Sequence, residues 1–400
     1  METSRRNFLL NIAKAMVVVG GSVYLLRTCD AVPDSVAEAW EGPPEDEEDV
    51  RHWALAYAIL APSLNNMQPW KVDLRQGDDL IRLYVDEERL QPALDPFARE
   101  TMMALGGFIE SLAIAASQRG FRADISYFPQ GSFSSDQPTR VPVADIRLVK
   151  DQEVSADPLF AYLLERRTNG QLYKSTPLSA EHQAALNAEM QAQHTAVQFV
   201  DDPQEVDELR LLVAKAVGVQ MTTAEPMQEF IGNTRIGAGS IEDSRDGNPL
   251  HGIPIWWLQK TGRLSEANAS TPGSMGYNAI FGDATIALLS TPGFVLFESA
   301  GTSRPGQLAI GRAYLRFNLL AASLGVSVQP VNYILADFPE MRGVREEMYH
   351  ALNKTSYRHV DMLVRIGYAL EDKPRPPARR RLEDILITED AEPAAEKAEG

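Results

Sequence analysis

Two arginine clusters in this chain are suited to binding an anion. ERRTNGQ (165–171) sets Arg166 and Arg167 beside the hydroxyl of Thr168, at the end of the amphipathic stretch DPLFAYLLERR. RPPARRRLEDIL (375–386) sets Arg379 and Arg380 in a proline-led tail. Guanidinium groups present a planar fork of donors that matches phosphate oxygens. Each such charge-assisted hydrogen bond is worth roughly 1.5–3 kcal/mol, so three or four would hold a phosphate-bearing ligand without a covalent link. Taken alone, the first cluster also reads as an exposed basic face, and the second as a solvated charge run. A third stretch, APSLNNMQPW (61–70), brackets Ser63, Asn65, Asn66 and Gln68 between Pro62 and Pro69. Proline fixes its own φ and donates no N–H, so this is a shaped loop following a helical stretch. Its amides would cap that helix or face a polar ligand.

The totals narrow the chemistry. The chain has 400 residues, 44% of them hydrophobic, enough for two domains or one large one. Its net charge is −17, which argues against a nucleic-acid partner, since phosphate backbones require a basic surface. Cys29 is the single cysteine, so no intrachain disulfide and no cysteine-based zinc site can form. The six histidines are scattered without the HxxxH spacing, and no metal site is expected. GSMG (273–276) does not fit the G-x-S-x-G nucleophile elbow. No catalytic triad or paired-carboxylate site stands out, and no catalytic residue is named.

The first residues read as an address. SRRNFLL (4–10) precedes the weakly apolar AMVVVGGSVYLL (15–26), the arrangement of a twin-arginine export signal. Leu10 stands where lysine is usual. The expectation is a periplasmic or cell-envelope protein handled by the twin-arginine export machinery, which carries proteins already folded. The apolar run is short of the about 20 residues of a spanning helix. No A-x-A cleavage site follows it, so retention as a membrane anchor through residues 8–26 is the other reading.

The elements that must position the arginines and the loop follow from periodicity and punctuation. An acidic linker is expected over 31–49, with structure beginning near Val50, and a disordered acidic tail over 387–400. Helices are expected over 50–60, 99–121, 157–167, 179–192, 203–218, 306–326 and 339–353. Strands are expected over 70–74, 80–86, 143–149, 196–200, 293–299 and 360–369, and in ADISYF and VSVQPVNYI. The class is α+β, a central, mostly antiparallel sheet flanked by helices. AASQRG (115–120) and AASLG (321–325) each close a helix on glycine and lead into a strand, about 205 residues apart. That repetition suggests an internal duplication, although alanine-rich helices also resemble one another by chance.

Together the motifs resemble the nitroreductase family of flavin enzymes. That family carries an R-[RH]-[ST] motif, a P-S-x-x-N-x-Q-P-W loop, and a Pro- and Arg-rich tail closing on acidic and aliphatic residues. Here the loop precedes the arginine motif, the reverse of the usual order. Family members are homodimers with FMN at the interface, one subunit lending the loop to the other's phosphate grip. The resemblance therefore implies two tandem halves, 50–150 keeping the loop and 157–386 keeping the grip, folded into a pseudo-dimer. It implies FMN held by Pro62, Ser63, Leu64 and Asn66 from the loop and by Arg166, Arg167, Thr168, Arg379 and Arg380 at the phosphate. Gln329 and Pro330 would run past the reactive edge of the flavin. Two departures stand out. Gly170 occupies a place where the family commonly has lysine or arginine, removing one contact, and Leu64 replaces a frequent serine.

The activity implied is electron or hydride transfer through flavin N5 to nitro or quinone-like small molecules, with NAD(P)H or another reductant as donor. A flavin-sequestering binding protein with little turnover is the alternative, and a flavin-free interaction protein a third. The insert HGIPIWWLQKTGRLSEANASTPGSMGY (251–277) reads as a lid or substrate wall, or as core packing by Trp256 and Trp257.

Overall fold

The computed structural model describes residues 31–132, 141–299, 301–352, 359–371 and 374–388. The expected leader over 1–30 and nearly all of the expected acidic tail lie outside them. Among the described residues, no helix is long and apolar enough to cross a membrane.

The chain is α+β, organised on two antiparallel four-stranded sheets. The first contains β1 (Trp70–Asp73), β2 (Leu80–Val85), β3 (Phe121–Tyr127) and β4 (Ala144–Lys150), in the order β1-β2-β4-β3. β5 (Ala196–Val200) opens the second. The insert that follows carries a small parallel pair, β6 (Thr234–Ile236) and β7 (Asn248–Leu250). β8 (Gly293–Ser299), β9 (Ser327–Pro330) and β10 (His359–Gly367) complete the second sheet, in the order β5-β8-β10-β9. The two orders are the same pattern. In each sheet a twenty-residue helix separates the second strand in chain order from the third: Arg99–Gln118 and Arg304–Ser323.

Local chemistry explains these helices. Ser303 caps the second with its hydroxyl on the Gly306 N–H, and Pro305 sits in the first turn, where its missing N–H costs nothing. The first receives a carboxylate cap at one remove, because Asp95 accepts from the Glu100 and Thr101 N–H groups at 3.1 and 2.9 Å. Gly120 and Gly325 follow the two helices with φ of 72° and 67°, the left-handed turn that stops a helix with least strain on glycine.

The two helices are buried on most sides and pack on each other through a reciprocal glycine contact. A Cβ at Gly106 would enter the space of the Leu308 carbonyl oxygen, and a Cβ at Gly311 that of the Met103 carbonyl. The sequence spacing from Gly106 to Gly311 equals that from Gly120 to Gly325. One core lies under the first sheet, around Trp70, Ile81, Leu105 and Phe108. Two others lie on either side of the second, around Val213, Phe294 and Met348, and around Phe297 and Phe317.

The C-terminal tail returns to the first sheet. Ile387 donates to the Val72 carbonyl at 2.8 Å, and Leu386 bridges Val72 in parallel. The end of the chain thereby lies beside β1, carrying Arg379 and Arg380 across the molecule.

Three expectations need correction. The stretch 157–167 is a short 3-10 helix, Pro158–Tyr162, followed by a turn. Phe160 stacks on Trp53 and meets Tyr57, while Leu159 and Leu163 are buried; this tertiary packing replaces a regular helix. Ordered structure begins well before Val50, because the 3-10 helix Asp34–Glu41 buries Val36 and Trp40. Finally, Trp257 is 51% exposed on the helix Ile253–Lys260, whose one buried residue is Ile255, so the Trp256–Trp257 pair is not core packing.

Candidate anion site

Three segments distant in sequence converge at the end of the helix Val50–Ala58. They are the loop 60–68, the turn carrying Arg166 and Arg167, and the tail at Arg379. Arg166 Nη2 donates to the Leu60 carbonyl at 3.0 Å. Arg379 Nη2 donates to that same oxygen at 3.1 Å, and its Nη1 to Asn66 Oδ1 at 2.7 Å. Arg167 Nη1 donates to the carbonyls of Leu164 and Arg166 at 2.8 and 2.7 Å. All three guanidinium groups face the indole of Trp40, at 5.6, 3.9 and 4.9 Å from its centroid for Arg166, Arg167 and Arg379.

The electrostatics of this cluster are unusual. Arg166 and Arg379 are both 2% exposed. Among the described residues neither forms an ion pair; their acceptors are carbonyls and the Asn66 amide. Burial pushes Arg166 down to about 10, and burial with the repulsion of Arg166 pushes Arg167 to the same value. Arg379 is lowered well below its ordinary range by burial first and then by its two neighbours. One polar atom on each is buried with no hydrogen-bond partner: Arg166 Nη1, Arg167 Nε and Arg379 Nε. Buried cations without carboxylates are costly, and unmet donors add to the cost. A site of this composition lowers its own free energy by taking up an anion. The donor set fits a phosphate dianion.

Arg380 plays a different part. Its Nη1 donates to the buried carboxylate of Asp86 at 2.9 Å and to the Gln68 carbonyl at 3.1 Å, so its charge is already met. It anchors the tail. Thr168 is exposed at the edge of the arginine turn.

The amide loop is locally strained. Asn65, Asn66 and Gln68 have φ of 49°, 55° and 55°, a left-handed conformation uncommon for residues other than glycine and concentrated at functional sites. Its own polar groups and its neighbours hold it there. Ser63 Oγ accepts from the Gln68 N–H at 2.9 Å, and Gln91 Nε2 donates to the Leu64 carbonyl at 3.1 Å. Gln68 is fully buried, donating to the Arg245 carbonyl at 2.9 Å and accepting from the Arg380 N–H at 2.9 Å. Asn66 Nδ2 donates to Ala378 O at 3.2 Å. Pro62 leads the chain in beside Gly107 of the first long helix.

Gln329 and Pro330 sit on β9, one segment away. Pro330 lies opposite Val364 on β10, and Gln329 Oε1 accepts from Arg365 Nε at 2.6 Å. Arg365, fully buried and stacked 4.0 Å from the Tyr173 ring centroid, also donates to the carbonyls of Asn169 and Gln171. The Asn169 N–H in turn donates to Val328 O. This network ties Gln329 to the segment leaving Arg167, and Gly170 lies beside the Gln329 amide.

Sequence reasoning did not single out Trp40, Arg365 or the contacts from the insert. Gly247 N–H donates to the Asn66 carbonyl, and Asn248 Nδ2 to Asn65 Oδ1 at 2.9 Å, so β7 presses on the loop. A readable signal for Trp40 was the four-residue spacing of Val36 and Trp40 within an otherwise polar stretch. A cleft of about 360 Å³ opens beside the cluster, lined by Glu38, Gly42, His52, Ile59, Arg379 and Arg380 among others.

No family model matches the chain. It is similar to a putative NAD(P)H nitroreductase of Mycobacterium tuberculosis (strain H37Rv), with 26% identity over 343 residues, covering 84% of this chain and 90% of that protein. It also resembles the probable NAD(P)H nitroreductase PigM of a Serratia strain, at 27% over 141 residues, 34% of this chain and 37% of that one. Among solved structures, a nitroreductase with bound FMN from Bacteroides fragilis aligns with 58% of this chain and 100% of its own, at 13% identity and a TM-score of 0.34. The FMN-dependent nitroreductase NfnB from Mycobacterium smegmatis, in complex with NADPH, aligns with 53% of this chain and 88% of its own, at 13% identity and a TM-score of 0.32.

Proposed function

We propose that this chain binds FMN and acts as a nitroreductase-type oxidoreductase, passing electrons or hydride from NAD(P)H or another reductant to nitro or quinone-like small molecules. The observation that carries this reading is the cluster of buried Arg166 and Arg379 with half-buried Arg167 at the junction of the amide loop and the tail: each has an unmet donor, and among the described residues Arg166 and Arg379 form no ion pair. The names of its relatives supply the redox class. When bound, FMN supplies the redox chemistry. The chain's share is binding and exclusion of water. Arg166, Arg167 and Arg379 hold the phosphate, Asn66 orients Arg379, and Arg380 with Asp86 fastens the tail. Ser63 keeps the loop in its strained form, with Pro62 and Leu64 as its backbone frame. Arg365 fixes Gln329 and Pro330 relative to the arginine turn.

The two halves, 50–150 and 157–386, are read as a tandem duplication folded as a pseudo-dimer. Their common strand order and the reciprocal Gly106 and Gly311 contact support this. The arginine pair and apolar run near the start support export by the twin-arginine route to the periplasm or envelope. Replacing Arg5 and Arg6 together by lysine should then leave the protein in the cytoplasm; unchanged fractionation removes that part of the reading.

One observation favours the second reading, flavin sequestration. The insert closes on the amide loop through Gly247 and Asn248, which would restrict access to a flavin. Purified full-length protein is expected to be yellow, with a flavin spectrum identified as FMN after release. Anaerobic NADPH bleaches an enzyme that uses that donor. Colour that persists with NADPH but is bleached by dithionite selects sequestration or another donor. Colourless protein that takes up no added FMN contradicts both.

A further inference from the structure

The structure assigns Trp40 to the anion site, as the residue that positions its three guanidinium groups. The phosphate of FMN as the natural occupant rests on the function proposed above; the role of Trp40 toward the arginines does not.

Trp40 arrives from the 3-10 helix Asp34–Glu41, outside both sheets, and is 6% exposed. Its Nε1 donates to the Pro377 carbonyl at 2.8 Å, which fixes the ring against the tail. Val36, one turn earlier, packs with Ile241 and Ala378, and its carbonyl accepts from the Arg379 N–H. Glu38 fastens the outer side of the helix by pairing with Arg245 at 2.8 Å. The strap is thus held on three sides, and its one aromatic residue meets all three arginines.

An indole is the right group for that place. Arg166, Arg167 and Arg379 are like charges facing one ring; burial lowers the proton affinity of all three, and neighbouring arginine charge lowers that of Arg167 and Arg379 further. A carboxylate among them would relieve the repulsion but cancel the charge an anion needs. The face of an indole attracts each cation while leaving the net charge in place. It also walls the cluster from water, so that unmet N–H donors act in a low-dielectric setting. Trp40 touches no proposed ligand atom; it acts through the arginines.

The test compares Trp40→Leu and Trp40→Phe in the full chain after flavin removal. Leucine keeps apolar volume and loses the aromatic face, whereas phenylalanine keeps a face. FMN affinity, followed by flavin fluorescence, is expected to fall roughly tenfold in the leucine variant, as loss of one to two such contacts would give, with faster release. Phenylalanine is expected to restore most of it. Inorganic pyrophosphate, which does not absorb in the near ultraviolet, is expected to change the indole emission of the wild type but not of Trp40→Phe. Leucine and wild-type proteins with equal FMN affinity would overturn the assignment. So would equal losses in both variants that track their melting temperatures. If the wild type ignores FMN yet pyrophosphate still produces the Trp40-dependent signal, the flavin reading fails and the positioning role stands.

Discussion

Arg166 and Arg379 donate to one and the same acceptor, the carbonyl oxygen of Leu60, at 3.0 and 3.1 Å. One arginine precedes the second sheet and the other follows it, while Leu60 lies in the turn just past the helix Val50–Ala58. This shared oxygen is where the amide loop, the arginine turn and the tail meet. It holds two buried cations side by side without a carboxylate, an arrangement whose cost is offset when an anion binds.

The shared acceptor makes Arg166 separable from the fold. In Arg166→Met the Leu60 oxygen keeps its bond to Arg379, and one buried cation disappears. The flavin-free variant is expected to melt at the same temperature as the wild type or higher. Its FMN affinity should fall roughly ten- to hundredfold, the loss of one charge-assisted bond. Calorimetry and fluorescence titration check the pair. Lower stability with unchanged affinity would make Arg166 a structural residue.

The helix crossing predicts a contrast between two glycines. A methyl group at Gly311 meets the Met103 backbone, which cannot rotate aside, so Gly311→Ala should cost about 1–3 kcal/mol or more. Gly218, inside the helix Pro203–Thr222, faces open space, and Gly218→Ala should gain about 0.5–1 kcal/mol. Urea denaturation of both variants decides the point. Equal stability of Gly311→Ala and the wild type would contradict the close crossing.

A third prediction concerns pH. Glu100 stands in the first turn of the first long helix. It accepts from Asn332 Nδ2 at both oxygens (2.9 and 3.0 Å) and pairs with Arg99 at 3.1 Å. Burial raises its pKa from 4.5 to about 7; Asp95 and Asp337 add to the rise, against the pull of Arg99 and Asn332. With the folded value above the unfolded one, the native protein keeps a proton that the unfolded chain releases. The contribution of Glu100 to stability is therefore full below about 4.5 and declines as pH rises toward about 7, by about 3 kcal/mol in all. Glu100→Gln should remove that slope. If melting temperatures of variant and wild type differ equally at pH 5 and pH 8, Glu100 is not the group responsible.

Much of the frame was legible because it rests on local chemistry. The long helices and their glycine stops, the strands at 70–74, 80–86 and 293–299, and the proline-bounded loop all follow from periodicity and backbone preference. The site was legible only as a set of parts. Arg166, Arg167 and Arg379 could be named from their side chains, but nothing local says that Arg379 crosses the molecule to reach Asn66. Arg380 looked equivalent to Arg379, and only the fold gives it Asp86 as partner. The stretch DPLFAYLLERR carries helical spacing, yet aromatic packing of Phe160 on Trp53 and Tyr57 holds it in a tighter turn. Trp40 was hidden by its acidic surroundings, where composition reads as linker, although Val36 and Trp40 share one buried face.

The central claim is that the three arginines grip a phosphate, and the most direct measurement compares FMN with riboflavin, which lacks one. The two differ at that group alone, so side-by-side titrations of the flavin-free protein isolate the cluster's contribution. FMN is expected to bind at least roughly a hundredfold tighter than riboflavin, with the difference collapsing in Arg379→Met. Equal affinity for the two flavins in the wild type would contradict it.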